Sequence, residues 1–354
     1  FSCIQHGQEQ EDSSIQESST YQMQIKYAKG FEFEYTQAYT KVLSRSIQGN
    51  SFFEDSLFIL HSEDHDLEQN CKILPTKINS ICCQSSTHLA FLDFLNELDK
   101  VTGLCGTKYI ESSPIHNKLK DLHEICLGEA VQSEEILSLA PDLYFIYPFA
   151  SEEESKLRDQ GIRTFMIAEY LEEHPIARLE WIKLFGVLTH KEKEADDYFN
   201  KVEGEYYDLV QQPDTNMKFF LNLPYGDSWY TPSANSLVVK LLEDAGLSYY
   251  YQKETGTENT PHTQEEMWET GTQANYWVII AERPADFTLD DLIEENEVYK
   301  DFRSVIQHQV IFCNSATSDY FVTGVLEPHE MLKDILFATH KLSEHKPKYF
   351  HLLN

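Results

Sequence analysis

Between Arg178 and Val202 the chain reads RLEWIKLFGVLTHKEKEADDYFNKV, with apolar residues returning at helical spacing and no proline. Trp181, Leu184, Leu188, Ala195, Phe199, Val202, Tyr206 and Leu209 recur three, four or seven residues apart, which predicts one apolar stripe on a helix from Pro175 to Gln211. At ~1.5 Å per residue such a rod spans roughly 50 Å. On both sides the rhythm differs: short apolar runs alternate with short amphipathic ones. Before the helix come strand-like NSICCQ, VTGLCG, DLYFIYP and IRTFMIA, separated by THLAFLDFLNEL, SEEILSL and SEEESKLRDQG. After it come MKFFLNLP, NYWVIIAE and HQVIFCN, separated by SANSLVVKLLEDAG, EEMWETG and TLDDLIEEN and followed by PHEMLKDILFATHKL. Strand–helix alternation implies α/β architecture with mainly parallel strands. The expectation is two α/β lobes joined by one long helix, with lobes over 21–173 and 213–354 and the helix over 174–212.

Charge narrows the partners. There are 59 acidic residues against 28 Lys and Arg, a formal net charge of −31. Nucleic acid and anionic membrane surfaces are attracted to basic faces, so neither is expected as a partner. No apolar run approaches the ~18–20 residues of a membrane span. Residues 1–20, rich in Ser, Gln and Glu, cannot bury a core and are expected to be a flexible tether. Seven cysteines are present; Cys82 and Cys83, adjacent on a strand, face opposite sides and are not expected to pair with each other. No CxxC, GxSxG, phosphate-binding Gly loop or HExxH motif occurs, and no enzyme signal stands out. HSEDHD, His61 to Asp66, has metal-ligating chemistry but lies outside the expected cleft and reads as a solvated turn.

The ordered segments CCQSSTHLAFLDFLNELDKVTGLCG, SEEILSLAPDLYFI, EWIKLFGVLTHKEKEAD, WYTPSANSLVVKLLEDAG and TQEEMWETGTQANYWVII resemble the helical-backbone substrate-binding proteins of ABC importers. That group takes up vitamin B12, ferric siderophores and haem. The closing YFVTGVLEPHEMLKDI resembles versions from Bacteroidetes. The resemblance implies the class III periplasmic binding protein fold, two Rossmann-like lobes around one cleft, and no enzymatic activity. It also implies a permease dimer as partner, a monomeric state, and no cofactor of its own. A metal chelate, whether siderophore, corrinoid or haem, would be the transported ligand.

In open α/β sheets, ligands bind outside the carboxyl ends of the strands. The strand-end loops here supply Ser86, Tyr109, Tyr147, Phe149, Tyr170, Trp229, Tyr230, Tyr320 and Phe321 as ligand-binding candidates. Flat apolar rings with hydroxyl handles suit a large planar ligand. Only Lys108, Arg178 and Arg283 are nearby bases, which disfavours highly anionic ferric catecholates; Arg178 is a candidate to pin the hinge through a carboxylate. By motif match Glu134 and Glu265, one per lobe, are expected to dock onto the permease, with Glu135 and Glu266 as adjacent alternatives. The FSC start resembles a lipoprotein junction, which makes Cys3 the expected lipid anchor and a bacterial cell envelope, on the periplasmic side, the expected location. PSANS, Pro232 to Ser236, departs from the glycine-bearing loop of the resembled group and puts close backbone approach to ligand at Ser233 and Ala234 in doubt. Two other readings stay open. A binding protein for a bare transition metal would need three or four His or acid ligands on the cleft loops, and an enzyme could share a similar two-lobe scaffold.

Overall fold

The structure is a computed structural model that describes residues 21–48, 51–62, 65–68, 70–75, 77–111, 113–128, 130–148, 152–255 and 259–354. Cys3 and Phe149 therefore lie outside the described residues, as does the 1–20 segment. The chain opens with a three-stranded antiparallel sheet of β1 (Phe31–Tyr35), β2 (Tyr39–Gln48) and β3 (Ser51–Leu60). The first lobe follows: β4 (Ile81–Cys83), helix α1 (Thr87–Phe94), β5 (Val101–Leu104), β6 (His123–Glu124), the small hairpin β7 (Cys126–Leu127) and β8 (Ala130–Val131), α2 (Ser133–Leu139), β9 (Leu143–Ile146), α3 (Glu152–Asp159) and β10 (Thr164–Met166). Its sheet has the order β10-β9-β4-β5-β6, and every pair is parallel. Cys82 and Cys83 enter different apolar clusters, as the two-residue period of a strand requires. Cys105 and Cys126 form a disulfide that ties the end of β5 to the β7–β8 hairpin.

The second lobe holds β11 (Lys218–Leu221), β12 (Trp229–Thr231), α7 (Leu237–Asp244), β13 (Ser248–Tyr249), β14 (Thr260–His262), α8 (Gln264–Gln273), β15 (Tyr276–Ala281), α9 (Leu289–Glu295), α10 (Arg303–Ile306), β16 (Val310–Asn314), α11 (Pro328–Ala338) and β17 (His351–Leu352). Sheet order is β13-β11-β15-β16-β17, parallel except for the last strand. The helix–strand alternation expected from sequence is present in both lobes. β6, β17 and the hairpin pairs β7–β8 and β12–β14 are two or three residues long, too short for a periodic signal.

The continuous rod does not form. Residues 175–207 make three helices between the lobes, α4 (Pro175–Leu179), α5 (Ile182–Thr189) and α6 (Glu192–Tyr207). His190 takes a left-handed backbone, φ 58°, and the chain turns back there. Lys183 Nζ consequently lies 4.1 Å from the Phe199 ring centre and 3.3 Å from Asp196. In one straight helix, residues 183 and 199 would be ~24 Å apart. Gly186 permits the tight corner, because a Cβ there would meet Ala195 Cβ at 2.6 Å. The bridge is α6 alone, 16 residues, burying Ala195, Phe199, Val202 and Tyr206 along the expected stripe.

Both lobes pack onto this bridge. Phe94 of α1 meets the Tyr198 ring at 4.0 Å, and the Tyr198 hydroxyl donates to Leu326 O in the second lobe. Tyr206 donates to Asp244 of α7 at 2.7 Å. A single apolar cluster runs from Phe145 and Phe165 through Phe185 and Phe199 to Phe219 and Leu332.

Ahead of β1, residues 21–30 lie across the α4–α6 junction. Glu180, fully buried, accepts the consecutive backbone N–H groups of Lys26, Tyr27 and Ala28 at 2.7–2.9 Å, and Lys183 approaches it at 3.1 Å. Glu172 does the same for Lys29 and Gly30 and accepts the Trp181 indole N–H. A buried carboxylate is tolerated when its lone pairs are filled and a counter-charge is near. Glu180→Ala strips several donors of their acceptor and removes a buried partner of Lys183. It is expected to lower stability by roughly 3–5 kcal/mol, seen as a lower denaturant midpoint at unchanged slope. Glu180→Gln, which keeps one acceptor oxygen, should lose less.

Candidate functional site

At the carboxyl ends of β4, β9 and β10, the first lobe forms a cavity of about 280 Å³ lined by Ser85, Thr87, Tyr147, Glu169, Tyr170 and Arg178. The Tyr147 and Tyr170 rings meet edge to face, 5.6 Å between centres. Burial pushes the Tyr147 hydroxyl above its ordinary pKa, with Ser85 opposing, so at neutral pH it is a neutral donor. Glu169 stands in the short 3-10 turn Glu169–Leu171 and is almost completely buried. Its Oε1 accepts from Arg178 Nη2 at 3.3 Å, and its Oε2 is 3.8 Å from His88 Nε2. Burial by itself would raise this carboxyl, but His88 and Arg178 outweigh it and hold the group below the ordinary glutamate range. Arg178 thus does meet a carboxylate, Glu169, just before the bridge. His88 is sealed behind the cavity against the Phe145 and Phe185 rings.

The second lobe reaches this place through the segment after β16. Phe321 O accepts the Thr87 hydroxyl at 3.2 Å, so the lobes touch at the cavity edge. Tyr320 packs on Phe321 and Phe350, and its hydroxyl is pushed above its ordinary pKa by burial, with Arg178 opposing. Tyr147 and Tyr170 therefore line the cavity, while Tyr320 and Phe321 lie beside its edge without lining it. Ser86 is the residue before α1, and its neighbours Ser85 and Thr87 line the cavity instead.

Other candidates are placed elsewhere. Trp229 is fully buried in the second lobe, its indole N–H donating to Leu221 O and its ring among Phe220, Trp277 and Tyr299. Strand alternation on β12 turns Trp229 and Thr231 inward and leaves Tyr230 40% exposed, away from this cavity. Tyr109 is 69% exposed beneath the Lys108 ammonium and does not line the cavity. Arg283 is bound to Glu295. Ser233 and Ala234 are buried, with the Ala234 N–H bonded to Glu254 O. His61 bonds Thr40; part of its acidic turn, residues 63–64, lies outside the described residues. Among the described residues, no group of three or more His, Cys, Asp or Glu is placed to hold a metal ion.

Glu134 and Glu265 each occupy the second position of a helix, α2 and α8, and both are exposed. These helices lead into parallel strands, so their N-termini lie on the carboxyl-end side of each sheet. The next acids are engaged within the chain: Glu135 with His123 Nδ1 at 2.7 Å, and Glu266 in a capping box with Thr263.

Residues 81–317 match the family model described as periplasmic binding protein. The chain belongs to the periplasmic binding protein family. It is 27% identical over 287 residues to an uncharacterized lipoprotein of Methanocaldococcus jannaschii, covering 77% of this chain and 68% of that protein. A periplasmic haem-binding protein from Pseudomonas aeruginosa superposes with TM-score 0.60 at 13% identity, over 78% of this chain and 99% of that one. A periplasmic vitamin B12 binding protein of Vibrio cholerae gives 0.54 at 14%, over 75% and 99%. The class III fold, with its two α/β lobes, is the fold of this chain. The β1–β3 sheet and the strap at residues 21–30 lie outside the matched segment.

Sequence reasoning did not find the Glu124 brace at the lobe rim. Glu124 accepts the amides of Gly106, Thr107 and Cys126 and the Thr107 hydroxyl, at 2.8–3.0 Å. Burial would raise its pKa, but these donors outweigh it and lower the value. A depressed folded-state pKa contributes stability that is present above the unfolded value, ~4.3, and is lost as pH falls through the folded value. Glu124→Gln removes that titration. Between about pH 5 and 3, the unfolding midpoint of the variant should therefore fall less steeply than that of the parent.

Proposed function

We propose that this chain is the binding component of an ABC importer. It captures a metal chelate, whether haem, corrinoid or ferric siderophore, between its lobes and delivers it to a permease dimer. The observation that carries this reading is the cavity at the strand ends, lined by tyrosines and hydroxyls of the first lobe and bordered by the second lobe where Phe321 O accepts the Thr87 hydroxyl. Aromatic faces with hydroxyl handles suit the periphery of a macrocycle or chelate. At about 280 Å³ the cavity admits part of such a ligand, so the rest would extend between the lobes. Family membership and the haem- and B12-binding proteins of the same fold support it. A bare-metal reading finds less support, since Arg178 occupies the one buried carboxylate at the cavity.

Transport requires release onto a partner, and Glu134 and Glu265 are proposed to provide docking contacts. They hold equivalent helix positions, while Glu135 and Glu266 are used internally. The location that fits is the periplasmic side of a bacterial membrane, held there by lipid on Cys3, with the protein acting as a monomer. Residues 21–173 and 213–354 would act as the two lobes, with α6 between them.

Visible absorption and thermal unfolding after mixing with haemin, cyanocobalamin or a ferric siderophore test the reading. One of them should shift its spectrum and raise the melting temperature, by mass action; no response to any would overturn it. Because one core runs through both lobes and the bridge, scattering curves of free and loaded protein should nearly superimpose. The double variant Glu134→Lys, Glu265→Lys should bind ligand as the parent does yet lose uptake in reconstituted vesicles, most at low salt. Normal uptake would refute the docking role.

A further inference from the structure

The cavity contains an arrangement that chelate binding in general does not require. Arg178 is the one cation among its lining residues. Its guanidinium is held from behind by Glu169, which is almost completely buried and takes a single Nη2 donor. Arg178 Nε is buried with no hydrogen-bond partner among the described residues. A guanidinium carries five N–H donors in a planar fork, so most of its donors have no acceptor from Glu169. The rest of the wall supplies hydroxyls from Ser85, Thr87, Tyr147 and Tyr170. Tyr320 of the second lobe stands near enough to feel the Arg178 charge.

We infer that Arg178 is a specificity-determining residue that receives a carboxylate arm of the ligand, so that the cargo is a carboxylate-bearing metal chelate rather than a neutral one. This rests on the reading of the cavity as the ligand site. A carboxylate matches the fork geometry of a guanidinium and gives charge-assisted hydrogen bonds. The cavity has room for a side arm rather than a whole macrocycle. Glu169 already opposes the charge of this single arginine, so the donors it leaves over can seat one carboxylate arm but not a highly charged chelate. The neighbouring hydroxyls can donate to the second carboxylate oxygen or accept from a bound water.

Matched probes test this on the intact protein. Haemin is compared with its dimethyl ester, which has the same ring with both carboxylates masked. A ferric trihydroxamate carrying one free carboxylate arm is compared with its methyl ester, and cyanocobalamin is added as a neutral corrinoid. The parent should bind the carboxylate-bearing member of at least one pair ten-fold or more tighter than its neutral counterpart. Arg178→Ala should lower the ratio of affinities within the pair to near unity, whatever it does to binding overall, and Arg178→Lys should restore part of that ratio. The parent's own preference needs no variant to fold, so a destabilised Arg178→Ala does not rescue the idea. Equal binding within each pair, tightest binding of a neutral probe, or a preference that survives Arg178→Ala would overturn it while leaving chelate capture standing. Failure of every probe to bind would instead remove both this inference and the proposed function.

Discussion

Phe185 is the point at which the helices between the lobes are anchored to the first lobe. It stacks on Phe91 of α1 with ring centres 4.7 Å apart and meets Phe145 of β9 edge to face at 5.3 Å. It lies on α5, the helix folded against the bridge, and closes off His88 behind the cavity. Aromatic clusters of this kind bury large areas and prefer particular ring geometries. The position of α5, and hence the direction in which α6 leaves the first lobe, is fixed by that packing. The second lobe then takes its place through Tyr198, Tyr206 and the α11 contacts on α6.

Polar chemistry near this core follows one rule. Carboxylates that leave water do so with their lone pairs filled. Glu180 and Glu172 each take a short run of backbone amides, and Asp334 of α11 does the same for Lys348, Tyr349 and Phe350 near the C-terminus. Irregular backbone ahead of β1 and ahead of β17 is held in this way, without strand pairing. Glu169 departs from the pattern. Its partners are side chains, one of them a guanidinium at the cavity wall, and one of its oxygens has no hydrogen bond within 3.5 Å. Glu180, Glu172 and Asp334 are filled by backbone amides, whereas Glu169 at the cavity keeps one oxygen without a hydrogen bond.

Much of the architecture is legible in the sequence because strand and helix periods differ and both lobes alternate them. The break at His190 is not. Gly186, which lets the corner close, stands inside the helical run before it, and the left-handed His190 in LTHKEK carries no compositional sign, so the helical periodicity reads straight through a corner. Trp229 is misplaced for a related reason: a three-residue strand has too few positions to show which face is buried. The Cys105–Cys126 pairing depends on β5 and β6 lying side by side, which spacing along the chain does not reveal. At the site, the loop aromatics could be named from the strand-end rule. Glu169 and Arg178 pair only because a 3-10 turn brings positions nine apart together.

The strap also determines where mechanical load enters the molecule. Tyr21, at the start of the described chain, donates to Asp196 in the first turns of α6, and Lys26 and Tyr27 grip Glu203 farther along the same helix. Tension on whatever precedes Tyr21 would therefore be delivered along α6, the element shared by both lobes. It would have little leverage to pry one lobe from the other. A protein pulled by its leading segment would be dragged as a unit, with the cleft left undisturbed.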